Sequence, residues 1–132
     1  MGGKFMYKIE LSGDCFTHPC SEQTIVLWYS SRSEYSSLND FINDIWTKQH
    51  DQENYGKQTL EEWFSEFHME HIMPETLYEK IQDYTSALKY AEIQIPIRYT
   101  NAVRLKKETW DEVIYAAENE HDYICFWWYT TA

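Results

Sequence analysis

A chain of 132 residues that is 43% hydrophobic and 17% aromatic, with six Trp and eleven Tyr, is long enough for one core and too rich in rings for a disordered acidic tail. Its formal net charge of -11 repels a nucleic-acid backbone or an anionic membrane, so direct binding to either is not expected and a basic partner is. No apolar run reaches the roughly 18 residues of a membrane span, no leader pattern opens the chain, and Cys15, Cys20 and Cys125 form an odd set that suits a reducing cytoplasm better than a disulfide framework.

Phe5, Tyr7, Ile9 and Leu11 alternate with Lys4, Met6, Lys8 and Glu10, a period of two that predicts a half-buried strand with the first set inward. Ser12-Gly13-Asp14 ends it. Cys15-Phe16-Thr17-His18-Pro19-Cys20 reads as a loop, because Pro19 disfavours helix before it and has no ladder donor. A second strand, Thr24 to Ser30, is apolar at both parities through Ile25-Val26-Leu27-Trp28-Tyr29; it should be buried on both faces and pair with the first as a hairpin. Leu38, Phe41, Ile42, Ile45 and Trp46 then keep helical spacing behind Ser37 as N-cap.

The polar stretch His50 to Gln58, with Gly56, reads as a loop. Thr59 and Glu62 form a capping box for a helix with Leu60, Trp63, Phe64 and Phe67 inward, ending near His71. Pro74 opens a third helix to about Ala91, with Leu77, Tyr78, Ile81, Tyr84, Leu88 and Ala91 inward. Ile93, Ile95, Ile97 and Tyr99 alternate around Pro96, which places that strand at an edge or a bulge. Thr109 and Glu112 form a second capping box, predicting a helix with Trp110, Val113, Ile114 and Ala117 inward.

The chain closes on Tyr123-Ile124-Cys125-Phe126-Trp127-Trp128-Tyr129. A run that is apolar at both parities requires a central strand covered on both faces. The expected fold is therefore α+β, a single compact domain over residues 1–132 in the order β-β-α-α-α-β-α-β. It has four mostly antiparallel strands, four helices packed on the sheet, and the C-terminal strand at the centre.

The acid is unevenly spread. Residues 34–83 hold twelve acids against Lys48, Lys57 and Lys80, whereas residues 98–107 hold Arg98, Arg104, Lys106 and Lys107 with no acid. Within the helical middle the carboxylates stand four apart: Asp40 and Asp44; Glu62, Glu66 and Glu70; Glu75, Glu79 and Asp83. Such rows place like charges about 5–6 Å apart on a helix face, at roughly 0.2–0.5 kcal/mol per pair, where a self-stabilising helix would place Lys four residues after Glu. Two readings follow: a solvated face that keeps an aromatic-rich protein soluble, or a surface that presents repeated negative charge to a basic groove. Imitating a duplex, with roughly one charge per 1.7 Å of axis, would need rows from several helices in one plane.

Chemistry-bearing clusters are sparse. Cys15, His18 and Cys20 share a loop, but their spacing matches no zinc site, and no second pair of ligands accompanies them. Cys15 with His18 as nucleophile and base lacks an orienting third group. His68 and His71 are three apart, not the four of a zinc-protease helix, and are expected to serve a helix end. Cys125 is expected to be an inert core thiol. The basic stretch is expected to pair with the protein's own acids or with an acidic strip on a partner, and Tyr35, Tyr55, Tyr90 and Tyr115 fall off the apolar stripes, as exposed interface anchors would.

With four Gly and no phosphate-binding loop, dinucleotide fingerprint or nucleophile elbow, the chain is expected to be no enzyme and to need no cofactor or metal. The expected function is a binding protein that inhibits a nucleic-acid-handling enzyme by occupying its basic groove. Its expected partner-binding residues are Asp40, Asp44, Glu62, Glu66, Glu70, Glu75, Glu79 and Asp83. Small acidic inhibitors of this type include phage and plasmid anti-CRISPR and antirestriction proteins, and immunity proteins that neutralise nuclease toxins are the alternative. No motif aligns with any of them, so no residue is carried over.

Overall fold

The computed structural model describes residues 6–17, 22–53, 60–65, 67–88 and 99–131. Its centre follows from the C-terminal run: Tyr123 through Trp128 are all buried, which one strand achieves only between two covered faces. This strand, β6 (Asp122–Thr130), pairs antiparallel with β2 (Gln23–Ser31) on one side and β5 (Glu112–Glu118) on the other. Outward from these lie β1 (Tyr7–Ser12) beside β2, and β4 (Asn101–Arg104) then β3 (Glu70–Ile72) beside β5. Among the described residues the sheet is six-stranded and antiparallel, in the order β1-β2-β6-β5-β4-β3.

Strand pleating sends alternate residues to opposite faces, and a different helix covers each face. Helix α1 (Leu38–Glu53) lays Phe41, Ile42, Ile45 and Trp46 over Val26, Trp28, Ile114, Cys125 and Trp127. Helix α3 (Pro74–Thr85) lays Leu77 and Ile81 over the opposite side, among Ile25, Leu27, Tyr115, Phe126 and Trp128. On the α1 side Trp28 stacks on Trp127 with centroids 6.2 Å apart, and Trp46 meets both edge-on at 5.4 and 5.3 Å. On the α3 side Tyr84 lies 4.6 Å from Trp128. These are the offset and edge geometries that aromatic quadrupoles favour.

The α+β class, the β1–β2 hairpin, the central C-terminal strand and the start of α1 agree with the sequence; Ser37 Oγ accepts the Asp40 N–H at 3.1 Å, as an N-cap does. Other expectations are overturned. The helix expected after Thr109 is β5: Val113 through Ala117 are buried at both parities, so propensity yields to pairing with β6. Thr109 and Glu112 instead close a tight turn, Thr109 N–H to Glu112 O at 3.1 Å, that leaves Trp110 73% exposed. The second helix, α2, spans only Leu60–Ser65, and Glu70–Ile72, expected at its end, is strand β3 on β4.

α1 continues into the expected loop as far as Glu53, and residues 54–58 of that loop lie outside the described residues. α3 stops at Thr85, where the Ser86 hydroxyl donates to Asp83 O, satisfying a carbonyl the helix no longer bonds, and the Thr85 hydroxyl adds a second bond to Ile81 O. The expected inward Ala91 and the strand of Ile93, Ile95 and Ile97 lie outside the described residues, and Tyr99 is buried but not in a strand. Three of the four expected strands are found, as β1, β2 and β6, and β3, β4 and β5 join them, making six among the described residues. Tyr7 and Ile9, expected inward, are 61% and 38% exposed on β1; among the described members of the alternating set only Leu11 is buried, and Phe5 lies outside the described residues. Gly13, at φ +53°, makes the turn after β1 in a conformation other residues resist.

Phe126 is buried between Tyr84 and Tyr115. Phe126→Ala should lower the unfolding free energy by about 3–5 kcal/mol with an unchanged denaturant slope. Urea titration checks this, and a loss under about 1 kcal/mol would contradict a core centred on β6.

Candidate functional site

The eight candidate carboxylates do not share one surface. Because α1 and α3 cover opposite faces of the sheet, Asp40 and Asp44 lie on one side of the molecule and Glu75, Glu79 and Asp83 on the other. The row of Glu62, Glu66 and Glu70 is not a helical row at all. Glu62 is exposed on α2 and Glu70 sits in β3, while Glu66 is outside the described residues.

Several of these acids are engaged within the chain. Asp44 accepts from the Tyr35 hydroxyl at 2.5 Å and pairs with Lys48 at 3.0 Å. Asp40 accepts from the Ser36 hydroxyl. Glu70 pairs with Arg104 directly across the β3–β4 ladder. Among the described residues, by contrast, the carboxylates of Glu75, Glu79 and Asp83 make no ion pair and no side-chain hydrogen bond, and all three are exposed. They stand on successive turns of α3 and span about 12 Å of its axis. Met73, immediately before the helix, is 66% exposed at the same end as Glu75.

Two of the four cations of the basic stretch close on the protein's own acids. Arg104 pairs with Glu70 and Lys106 with Glu112; Lys107 is exposed, and Arg98 is outside the described residues. Glu108 takes the Tyr115 hydroxyl bond and lies 3.6 Å from Lys80. Glu112 also accepts the Trp127 indole N–H at 2.8 Å.

Tyr35 and Tyr115, expected as exposed anchors, are 5% and 1% exposed; Tyr55 and Tyr90 are outside the described residues. Burial pushes both hydroxyls well above the ordinary tyrosine range, and the bonded carboxylates of Asp44 and Glu108 push further the same way. Burial likewise raises Tyr99, and lifts Tyr29 to about 12.

The described members of the Cys and His candidates are not brought together. Cys15 is half-buried against the α3-side core, and His18 and Cys20 lie outside the described residues. Cys125 is fully buried, and burial raises its thiol far above the reactive range. His71 is not at a helix end but in β3, its Nδ1 3.1 Å from Asn101 Oδ1; His68 follows α2 in open chain and gives its backbone N–H to Leu105 O. Among the described residues no His, Cys, Asp and Glu cluster could hold a metal, and no helix is long and apolar enough to cross a membrane. The unforeseen surface features are Trp110 at the β4–β5 turn and the edge of β1. Compared with known proteins, the chain matches no family model, no curated protein and no solved structure.

The buried tyrosines fix an alkaline limit. A tyrosine whose folded pKa lies above its unfolded value contributes stability that is intact below the unfolded pKa and lost as pH rises through the folded one. Stability should therefore hold up to about pH 10 and fall between about pH 10 and 12, the ordinary and raised values for Tyr29. Urea melts across that range, with tyrosinate absorbance followed in parallel, test this: ionisation of the buried set should coincide with unfolding.

Proposed function

We propose that the chain is a non-enzymatic cytoplasmic binding protein that seats the α3 face in a basic groove of a nucleic-acid-handling protein, such as a nuclease or a CRISPR or restriction effector, and inhibits it by occupying that groove. The observation that carries this reading is the row of Glu75, Glu79 and Asp83, whose charge nothing among the described residues neutralises. Glu75 lies in the first turn of α3, where the helix dipole favours a carboxylate. Glu79 and Asp83 have no such excuse, and each like-charged pair costs roughly 0.2–0.5 kcal/mol.

The opposed faces narrow the reading. α1 and α3 acids cannot meet one flat surface, so the groove would receive a single row. At one charge per turn, about 6 Å, that row is sparser than a duplex. Charge would then supply steering and register, and the exposed Met73 an adaptable apolar contact beside it.

The triple variant Glu75→Gln, Glu79→Gln, Asp83→Asn separates this role from a solvated face. With partner captured from lysates that express candidate nucleases, calorimetry should show affinity at least about tenfold weaker, which is 1.4 kcal/mol. Removing two like-charged pairs contributes about 0.4–1 kcal/mol, which the loss of the Glu75 carboxylate from the first turn offsets by a similar amount, so the variant should be about as stable as the wild type. Wild-type binding should weaken with salt and compete with nucleic acid. Full affinity in the variant, or a complex that keeps nucleic acid in the same groove, would overturn the proposal.

A further inference from the structure

We infer that β3 carries a soft-metal site, in which His71 and a neighbouring methionine hold one monovalent ion, Cu(I) or its redox-inert counterpart Ag(I). Met69, His71 and Met73 fall at one parity, two residues apart, and extended chain sends such residues to one face. His71 stands opposite Val103 of the α1-side cluster, and Ile72 opposite Ala102 of the α3-side cluster, so the three belong to the α1 side. Nothing covers them there: His71 is exposed, and Met69 and Met73 are 42% and 66% exposed. Methionine ordinarily fills gaps in a core; these two stand in solvent. The backbone at both ends is fixed, with the His68 N–H on Leu105 O at 2.8 Å and Met73 extended at φ -66° and ψ 133°.

The imidazole is set for ligation. Its Nδ1 lies 3.1 Å from Asn101 Oδ1, an oxygen that only accepts, so in the neutral ring Nδ1 carries the proton and Nε2 the lone pair. Metal-binding histidines are held in the same way, by a hydrogen bond from the nitrogen that does not ligate. Imidazole with thioether is a soft donor set of the kind that Cu(I) selects and that hard cations pass over.

Spacing sets the number of ligands. Each methionine stands about 6.6 Å along the strand from His71, so an ion on Nε2 can be met by either flexible side chain leaning toward it. Met69 and Met73 stand about 13 Å apart, too far for both sulfurs to reach one ion at bonds of about 2.3 Å. The ion is therefore two-coordinate, bound by His71 and one methionine at a time. Monovalent d10 ions accept two ligands in line, whereas zinc takes four. Glu70 faces the other way, paired with Arg104, and the net charge of -11 draws cations toward the surface. The site stands or falls independently of any groove-binding role, since it is read without a partner protein.

Methionine-methyl NMR during titration with Ag(I) tests it, in a Cys15→Ser, Cys20→Ser background that removes two competing thiols while Cys125 stays buried. The Met69 and Met73 methyl signals should shift in parallel and saturate at one ion per chain, with Kd below about 10 μM, and Zn2+ at the same concentration should move neither. His71→Gln should weaken binding at least about tenfold. Met69→Leu or Met73→Leu alone should cost only about twofold, one of two alternative sulfurs, and both together at least about tenfold. All of these positions are exposed, so the melting temperature of the ion-free variants should not change. Methyl signals that stay still at about 100 μM Ag(I) or that answer Zn2+ equally, affinity that survives His71→Gln or the double Leu variant, or a single Leu variant as weak as the double, would each overturn the site.

Discussion

Trp127 and Trp128 are neighbours in one strand and cannot share a face, yet both are buried. Consecutive large rings in β6 thus demand two covers, and the remaining architecture answers that demand. α1 is committed to the Trp127 side and α3 to the Trp128 side, while β2 and β5 close the two backbone edges of β6. The separation of the acidic helices onto opposite surfaces is a by-product of the same demand. Surface charge in this protein is distributed by the packing of its core.

The doubly buried strands explain what the sequence made legible. β2 and β6 could be read because an unbroken apolar run at both parities has few other solutions, and α1 because Leu38, Phe41, Ile42, Ile45 and Trp46 repeat without a miss. β5 is equally buried but was hidden by Thr109 and Glu112, a spacing that serves a capping box and a tight turn alike, and by Ala116 and Ala117, which favour helix locally. β4 offers only Ala102 and Val103 between polar ends, and β3 is three residues long, too short for any period to show. The acidic candidates were legible as rows but not as a surface. Residue spacing fixes neighbours on one helix and carries no information about which side of a sheet that helix covers.

Part of the acid excess has a structural use that a count of charges misses. Tyr35 donates to Asp44, Tyr115 to Glu108 and Trp127 to Glu112. Buried Tyr and Trp bring one polar atom each into the core margin, and an unpaired donor there costs about 1–3 kcal/mol. Carboxylates at the rim of the core satisfy those donors, and Lys48, Lys80 and Lys106 partly offset their charge. An aromatic-rich interior and an acidic exterior are therefore coupled, and Glu75, Glu79 and Asp83 stand out because they take no part in that coupling.

The pairing of β2 with β6 joins two ends of the chain, sealed where the Trp128 indole N–H donates to Gln23 Oε1 at 3.0 Å. A growing polypeptide lengthens at about 5–20 residues per second, so β2 emerges several seconds before its partner exists. Through that interval the β1–β2 hairpin lacks the strand that β2 pairs with on its inner side, and Leu27 and Trp28 lack their neighbours on β6. The core around β6 can therefore close only once β6 has been made, and a segment near the start of the sheet waits for one made about ninety residues later.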